Sequence, residues 1–353
     1  MTATPPHAAI APALDALSVV IPVFNERAWI GTALTALLAA AERADIRLDV
    51  VVVDDGSTDG TSAVLDELAA TAAGIRVHHQ ANAGRLAARA AGLALAREPW
   101  VLLLDGRVVV ERDSLAWVRR AVAADPQRRV WCGHVDVETT GNTYAAFWSG
   151  LVKIGWRRYT SNPRLVSFGP EEFDQYPKGT GCLLVERHLL AEAFAGFRSL
   201  YDDAHLASDD TRLLRDIVER ERIWLSPDFR FRYHGKTGAR GFLRQAYFRG
   251  TTFVDGYLGQ RGPVRSALLL ALGAAAGLAA LSLRKPVVGL AGVATGAVAV
   301  PVAVSWAGGS RTEVRSAALL APVFIPVFGA GVLRGLALAL VAHAPGRPRT
   351  TSP

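Results

Sequence analysis

Between Ser18 and Pro126 the chain alternates short, nearly unbroken apolar runs with Ala/Leu-rich stretches. This alternation limits the architecture of the 353 residues more than any other feature. Ser18–Phe24 (SVVIPVF), Leu48–Val53, Ile75–His79 and Trp100–Leu104 read as strands. Ala28–Ala44, Thr61–Ala73 and Gly84–Arg97 read as the helices between them. Apolar runs with no in-and-out alternation are strands buried on both faces. The pattern therefore implies βαβ units and an α/β fold, with a mostly parallel central sheet under helices on both sides. Ligands of such sheets sit beyond the carboxyl ends of the strands. The polar residues directly after each run are thus the candidates for chemistry.

Beyond Pro126 the signal changes twice. Residues 127 to about 260 are richer in aromatics and Arg, with weaker periodicity; Leu183–Phe194 and Asp210–Glu219 read as helices. After Arg265 charge nearly disappears. Ser266–Leu283 and Pro286–Ala307 carry none, and Ser316–His343 carries only Arg334. A bilayer-spanning helix needs roughly 20 apolar residues, so residues 266–343 are expected to form two or three transmembrane helices. Pro322, Pro326 and Arg334 keep open the version with two spans and one interfacial helix, and a soluble Gly/Ala-rich hairpin is the alternative to any span. Residues 1–17, with Pro5, Pro6 and Pro12, read as a flexible leader without the pattern of a signal peptide. Residues 18–260 read as the catalytic-type domain and 344–353 as a tail.

Charge follows the same division. Residues 264–353 hold eight cations and one anion, which accounts for the whole net charge of +7. The surplus flanks apolar segments, as cations do beside a membrane. It is not a basic patch on the α/β part, which argues against a nucleic-acid partner. Arg240, Arg244, Arg249, Arg261 and Arg265 precede the first apolar run and place the α/β part in the cytoplasm. Cys132 and Cys182 are too few for a disulfide scaffold and lack zinc-site spacing.

The first run ends in Ile21-Pro-Val-Phe-Asn-Glu26 and the second in Val53-Asp-Asp-Gly-Ser-Thr-Asp-Gly-Thr61. Carboxylates followed by Gly, Ser and Thr at a strand end suit a sugar nucleotide: Asp55 is placed to accept from a base N–H or a ribose hydroxyl. The same residues also make turns, and Asp59 is a natural cap for the helix after it.

These two motifs together resemble family 2 glycosyltransferases. The resemblance continues through Asn82–Arg89, Leu102–Asp105, Gly179-Thr-Gly181 and Ser208-Asp-Asp-Thr211, and fades near Gly250. It implies a GT-A fold, a nucleotide-sugar donor and inverting transfer to a lipid-linked or saccharide acceptor. It implies that Pro22, Phe24 and Glu26 lie at the strand end beside the nucleoside, that Asp55 contacts the base, and that Arg85 and Arg89 neighbour the donor. For Arg89 an exposed helix charge is the alternative. Asp105 matches the first carboxylate of the family's Asp-x-Asp motif, which contacts the ribose. The second carboxylate of that motif holds a divalent metal, Mn²⁺ or Mg²⁺. Here it is replaced by Arg107, which removes an oxygen ligand and adds a repelling cation. Arg107 either serves the diphosphate itself, or leaves the metal to Asp105 and a second residue, or faces away.

His234 is the candidate second metal ligand, with a structural role as its alternative; Lys236, Arg240 and Arg244 follow it. Asp210, beside Asp209, matches the carboxylate that deprotonates the acceptor hydroxyl, although two acids at a helix start also cap it. The glycines of Gly179-Thr-Gly181 are expected to let the backbone approach the donor sugar. Phe168–Asp174 offers three acids, for acceptor hydroxyls or for an ordinary loop. The reading is a transferase on the cytoplasmic face of the cell membrane, anchored by several spans in contact with membrane lipid. A sugar-nucleotide-binding membrane protein without catalysis is the alternative.

Overall fold

The structure, a computed structural model, describes residues 11–201, 203–258 and 285–342, with scattered positions between 265 and 284. The chain divides into two compact units. One comprises Met1–Asp136, Pro163–Phe197 and Leu213–His234; the other comprises Val137–Asn162, Arg198–Arg212 and Gly235–Pro353.

The first unit is built on a nine-stranded sheet. Its leading half follows the expected alternation: β1 Ala16–Val23, α1 Ile30–Ala44, β2 Arg47–Asp54, α2 Thr61–Thr71, β3 Ile75–His79, α3 Arg85–Leu95 and β4 Trp100–Leu104. β1 pairs in parallel with β2 and β4, and β2 with β3. The central runs are apolar throughout because both faces are covered: Val19, Val20, Ile21, Val50–Val53 and Val101–Leu104 are fully buried. Pairing of β1 with β4 stops at Val20, two residues before Pro22, which cannot donate to a ladder.

The sheet then turns antiparallel. It is extended by β5 Val108–Val110, β6 Val130–Glu138, β7 Val166–Phe168, β8 Cys182–Glu186 and β9 Ile223–His234, in the order β3-β2-β1-β4-β8-β6-β9-β5 with β7 on β9. β8 overturns the expected helix over Leu183–Phe194. Its five residues insert between β4 and β6, all buried. A short run buried on all sides carries no periodicity that separates strand from helix. The helix of this region, α7, begins only at Arg187 and runs to Gly196; α4 Ser114–Ala124 packs earlier in the same unit.

The leader also differs from expectation over its described part. Ala11 and Leu14 are buried, the Ala11 N–H donates to Pro126 O, and the indole of buried Trp100 donates to Pro12 O at 2.9 Å. Residues 11–15 are thereby tied to the sheet rather than loose.

The second unit is helical. It holds α5 Thr143–Gly155, α6 Arg157–Thr160, the start of α8 Asp209–Val218, α9 Ala239–Tyr257, α10 Pro286–Trp306 and α11 Arg311–Ala342. α5 is capped by Asn142, whose side chain accepts from Ala145 N at 3.0 Å. An aromatic cluster of Phe147, Trp148, Phe242 and Phe324 joins α5, α9 and α11. α10 and α11 are each long and apolar enough to cross a membrane, at 21 and 32 residues. Pro322 and Pro326 fall inside α11 without ending it. The expected first span, Ser266–Leu283, lies largely outside the described residues.

Candidate active site

In the first unit the expected donor residues gather at the carboxyl ends of β1, β2 and β4, where such sheets bind ligands. Phe24 follows β1 with its ring half exposed, and Pro22 is partly buried in the strand. Asp54 and Asp55 close β2, both buried. Asp54 accepts from Ser57 N at 3.0 Å and from Ser62 Oγ. Burial raises its pKa, but those bonds outweigh burial and hold it below the ordinary aspartate value. His79 bridges Asp54 and Asp66 at 3.0 Å each. Asp59 accepts from Thr61 N at 3.0 Å just before α2, but the cap position expected for it is taken by Gly60, with no side-chain cap hydrogen bond.

Asp55 departs from expectation. Its carboxylate is 4% exposed and accepts from Gln80 Nε2 and Ala83 N at 2.8 Å and from Gly84 N at 2.9 Å, while its carbonyl accepts from Asn82 Nδ2. It is committed to the loop that launches α3, instead of standing open to a base. Arg85, the first residue of α3, is exposed.

Asp105 sits just past β4. Its N–H donates to Gly181 O at 3.0 Å, and its carboxylate accepts from Arg89 Nη2 at 2.8 Å. Arg89 is 1% exposed, so the alternative of an exposed helix charge does not hold. Gly181 is required by this arrangement: a Cβ there would meet Asp105 Oδ2 at 2.7 Å, whereas one on Gly179 would meet nothing within 4 Å among the described residues. The close approach of Gly181 is thus to Asp105.

Arg107 and Glu26, both expected beside the donor, are instead each other's partners. The guanidinium meets the Glu26 carboxylate through both Nε (3.0 Å) and Nη2, and Nη1 donates to His234 O at 3.3 Å. Both side chains are about seven-eighths buried, at 12% and 13% exposure. A bidentate pair of this kind spends the charge of both residues. The His234 ring stacks on Trp29 with centroids 4.0 Å apart. Among the described residues no group of three His, Cys, Asp or Glu side chains is placed to hold a metal ion. With Asp105 paired to Arg89 and Arg107 to Glu26, the residues at the expected position do not fit a protein-held divalent metal, and the assignment of Asp105 and His234 as its ligands is withdrawn.

Three positions escaped the sequence reading. Trp29 gave no signal beyond being a lone aromatic after the first motif. Lys178, directly before Gly179, is buried under the loop of residues 168–174, its ammonium donating to Phe173 O and Tyr176 O and lying 4.2 Å over the Phe173 ring. Burial pulls its pKa down to about 8, against the opposing charge of Asp174. That loop proves ordinary for two of its acids: Asp174 pairs with Arg215 at 3.1 Å and Glu172 with Arg222 at 3.2 Å.

The third lies in the second unit, which carries the expected base. Asp209 and Asp210 form the first turn of α8; Asp209 is buried and Asp210 partly so. The loop before them is fixed by Asp255 of α9, fully buried, which accepts from Leu200 N (2.6 Å), Ser208 N (2.7 Å) and Ser199 Oγ (3.1 Å) and pairs with Arg212 at 3.0 Å. Tyr201 of the same loop donates to Thr251 O at 2.7 Å. Gly256 leaves room for Ser208, whose Oγ would meet a Cβ there at 2.9 Å. Asp255 lies inside a helix in no motif, so the sequence held no cue to its role.

Residues 18–182 match the model of the Glycosyl transferase family 2 domain family. Over these residues, just under half of the chain, it is similar to the family 2 glycosyltransferases. Among curated proteins it is similar to glycosyltransferase EpsJ of Bacillus subtilis, 30% identical over 128 residues, covering 36% of each chain. It is also similar to the undecaprenyl-phosphate 4-deoxy-4-formamido-L-arabinose transferase of Aeromonas hydrophila, 35% identical over 91 residues, covering 25% of this chain and 28% of that one. The chain thus spans about a third of the length of the curated relatives it matches. Among solved structures it is similar to the mannosyltransferase PcManGT of Pyrobaculum calidifontis in complex with GDP-Man and Mn²⁺, at TM-score 0.54 and 18% identity over 93% of this chain and 88% of that one. That likeness supports the α/β GT-A fold.

Proposed function

We propose that the chain is an inverting glycosyltransferase, taking a sugar from a nucleotide-sugar donor and passing it to a lipid-linked acceptor at the cytoplasmic face of the cell membrane. The observation that carries this reading is Asp210. It is a partly buried carboxylate at the head of α8, on a loop that Asp255 holds in place, in the unit that also contains the apolar helices. The match to an undecaprenyl-phosphate sugar transferase supports a polyprenyl-phosphate acceptor. The flanking cations support a multi-pass anchor with the α/β domain in the cytoplasm. The domain plan proposed is residues 18–260 for transfer and 266–343 for anchoring.

In this mechanism Asp210 takes the proton of the acceptor, a saccharide hydroxyl or the phosphate O–H of a polyprenyl phosphate monoanion, as that oxygen attacks the anomeric carbon. The bond from that carbon to the diphosphate breaks, the nucleoside diphosphate leaves with the electron pair, and configuration at the carbon inverts. Asp209, buried beside it, positions the head of α8. Phe24, Arg85 and Asp105 are the donor-facing residues. Asp55, holding residues 80–84, sets the backbone around them. Arg85 supplies positive charge for the diphosphate.

The test is Asp210→Asn in purified full-length protein in detergent, assayed with UDP- and GDP-sugars and polyprenyl phosphate. General-base removal costs about 10²–10⁴-fold in rate. Transfer should fall by that much while nucleotide affinity, read by calorimetry, stays within about twofold. Equal loss of both would make Asp210 structural. A wild-type chain that binds donor and transfers nothing would select the sugar-nucleotide-binding reading, which the Glu26–Arg107 pair favours.

A further inference from the structure

The geometry of the second unit points to a membrane seat that differs from a bundle of spans. We propose that α11 lies in the plane of an anionic membrane surface, its exposed apolar stripe against lipid, and does not cross the bilayer. The proposal deepens the reading above and rests on its membrane setting.

α11 is tied along its length to polar neighbours. Near its start the buried Glu313 carboxylate accepts from Ser149 Oγ (2.6 Å), Lys153 Nζ (2.7 Å) and Ser310 N (2.6 Å). Farther on it runs beside α9 in the same direction, with Phe242 beside Phe324 and Phe253 beside Phe328. The two backbones touch: a Cβ on Gly250 would strike Phe328 O, and one on Gly331 would strike Tyr247 O. Thr251 Oγ1 donates to Gly331 O at 3.1 Å, and a Cβ on Gly335 would meet Tyr201 Oη at 2.7 Å.

The partner helix is what forbids a span. α9 exposes Arg240, Arg244 and Arg249, and buries Asp255 with its ion pair to Arg212. With Arg311 and Arg315 at one membrane surface, an upright α11 would carry residues 324–335 to depths of about 14–30 Å. The α9 segment packed on them would follow, drawing Arg244 and Arg249 into hydrocarbon. A long side chain snorkels a few ångströms, not the half-thickness of a bilayer, and charged groups at such depth are costly.

Lying flat, α11 satisfies every group. Its buried face is mostly small: Ser316, Ala317, Ala321, Gly331, Gly335 and Ala339, with Glu313 and Val332. The opposite face exposes Leu319, Val323, Leu333 and Leu340, headed by exposed Arg311 and Arg315. Exposed Trp306, with the Arg157 guanidinium 4.1 Å over its ring, stands at the adjoining end of α10. An apolar stripe rimmed by cations and a Trp is the pattern of a helix held at an anionic interface. The Asp209–Asp210 loop, fixed to α9 through Asp255, is then carried on a platform at lipid level. That is where the headgroup of a lipid-linked acceptor presents itself.

The experiment is depth-resolved fluorescence quenching by brominated lipids. The full chain is reconstituted in phosphatidylcholine/phosphatidylglycerol vesicles with a single bimane-labelled cysteine at position 319, 323 or 333; native Cys132 and Cys182 are buried. Expected are three equal depths, within about 5 Å, near the headgroup boundary. A label at Val323→Cys lying deeper by about 6–9 Å than those at Leu319→Cys and Leu333→Cys would mark a span, since upright those two sit near opposite faces, and would overturn the proposal. Absence of quenching at all three positions would overturn it too. The reading needs no turnover, so equal shallow depths in a chain that transfers no sugar would count against the transferase assignment alone.

Discussion

Gly179 and Gly181 are a pair that separates two accounts of one motif. If the glycines clear space for the donor sugar, both should resist replacement. If Gly181 clears space for Asp105, only one should. In Gly181→Ala the new methyl would stand 2.7 Å from Asp105 Oδ2 and 3.0 Å from its Cγ. The oxygen contact is about 0.6 Å or more inside ordinary van der Waals range. The carboxylate has little room to yield, because Oδ1 is held by buried Arg89 at 2.8 Å and the Asp105 backbone is tied to Gly181 itself. Overpacking of this kind costs about 1–3 kcal/mol. If it displaces Asp105 from a bound nucleoside, donor affinity falls by about 5- to 100-fold. Gly179→Ala meets nothing and should leave affinity within about twofold. Titration calorimetry of UDP and GDP into the purified full chain reads both, with melting curves to confirm folding. Equal losses in the two variants, or none in Gly181→Ala, would refute the role given to Asp105.

Two further outcomes follow from charge. Glu26→Gln leaves the Arg107 guanidinium seven-eighths buried with one neutral acceptor in place of a bidentate carboxylate. Breaking a buried pair costs about 3–5 kcal/mol. Residual exposure and the retained bond reduce this to about 1–3 kcal/mol, read as a Tm lower by several degrees; an unchanged Tm would count against the pair. His79 has its pKa raised by Asp66 and then Asp54. Its contribution is therefore complete below the ordinary value of 6.5 and is lost as pH climbs through the raised value. Tm should decline across that window above pH 6.5, and His79→Gln should flatten the decline.

Legibility in the sequence tracked how local each cause was. The strands β1, β2 and β4 were readable because burial on both faces leaves an unbroken apolar run, and the Asp59 turn because its bond to Thr61 needs only neighbours. β8 was not, since its identity depends on β4 and β6 from distant parts of the chain. The site divided in the same way. The motif located Asp105 and Asp210 at a strand end and a helix start. It could not foretell that Arg89 is buried against Asp105, that Asp55 turns inward to residues 80–84, or that Asp255 pins the loop before Asp210. Each of those depends on a partner 16 to 56 positions away. The length of α11 was plain from its composition, whereas its neighbours, which argue against an upright orientation, come from α5 and α9.

The Glu26–Arg107 pair shows how the domain keeps its shape with a cation at the family's metal position. A lone guanidinium there, at 12% exposure, would be a buried charge without compensation. Glu26 removes that cost through two parallel bonds, and the third contact, to His234 O, ties the end of β9 to the start of β5. The result is a neutral, hydrogen-bonded patch joining the ends of three strands. Having spent its charge internally, this patch has none left for a departing diphosphate. In the proposed mechanism the positive field would then come from cations outside it, which is the reason for assigning the exposed Arg85 at the head of α3 to the diphosphate.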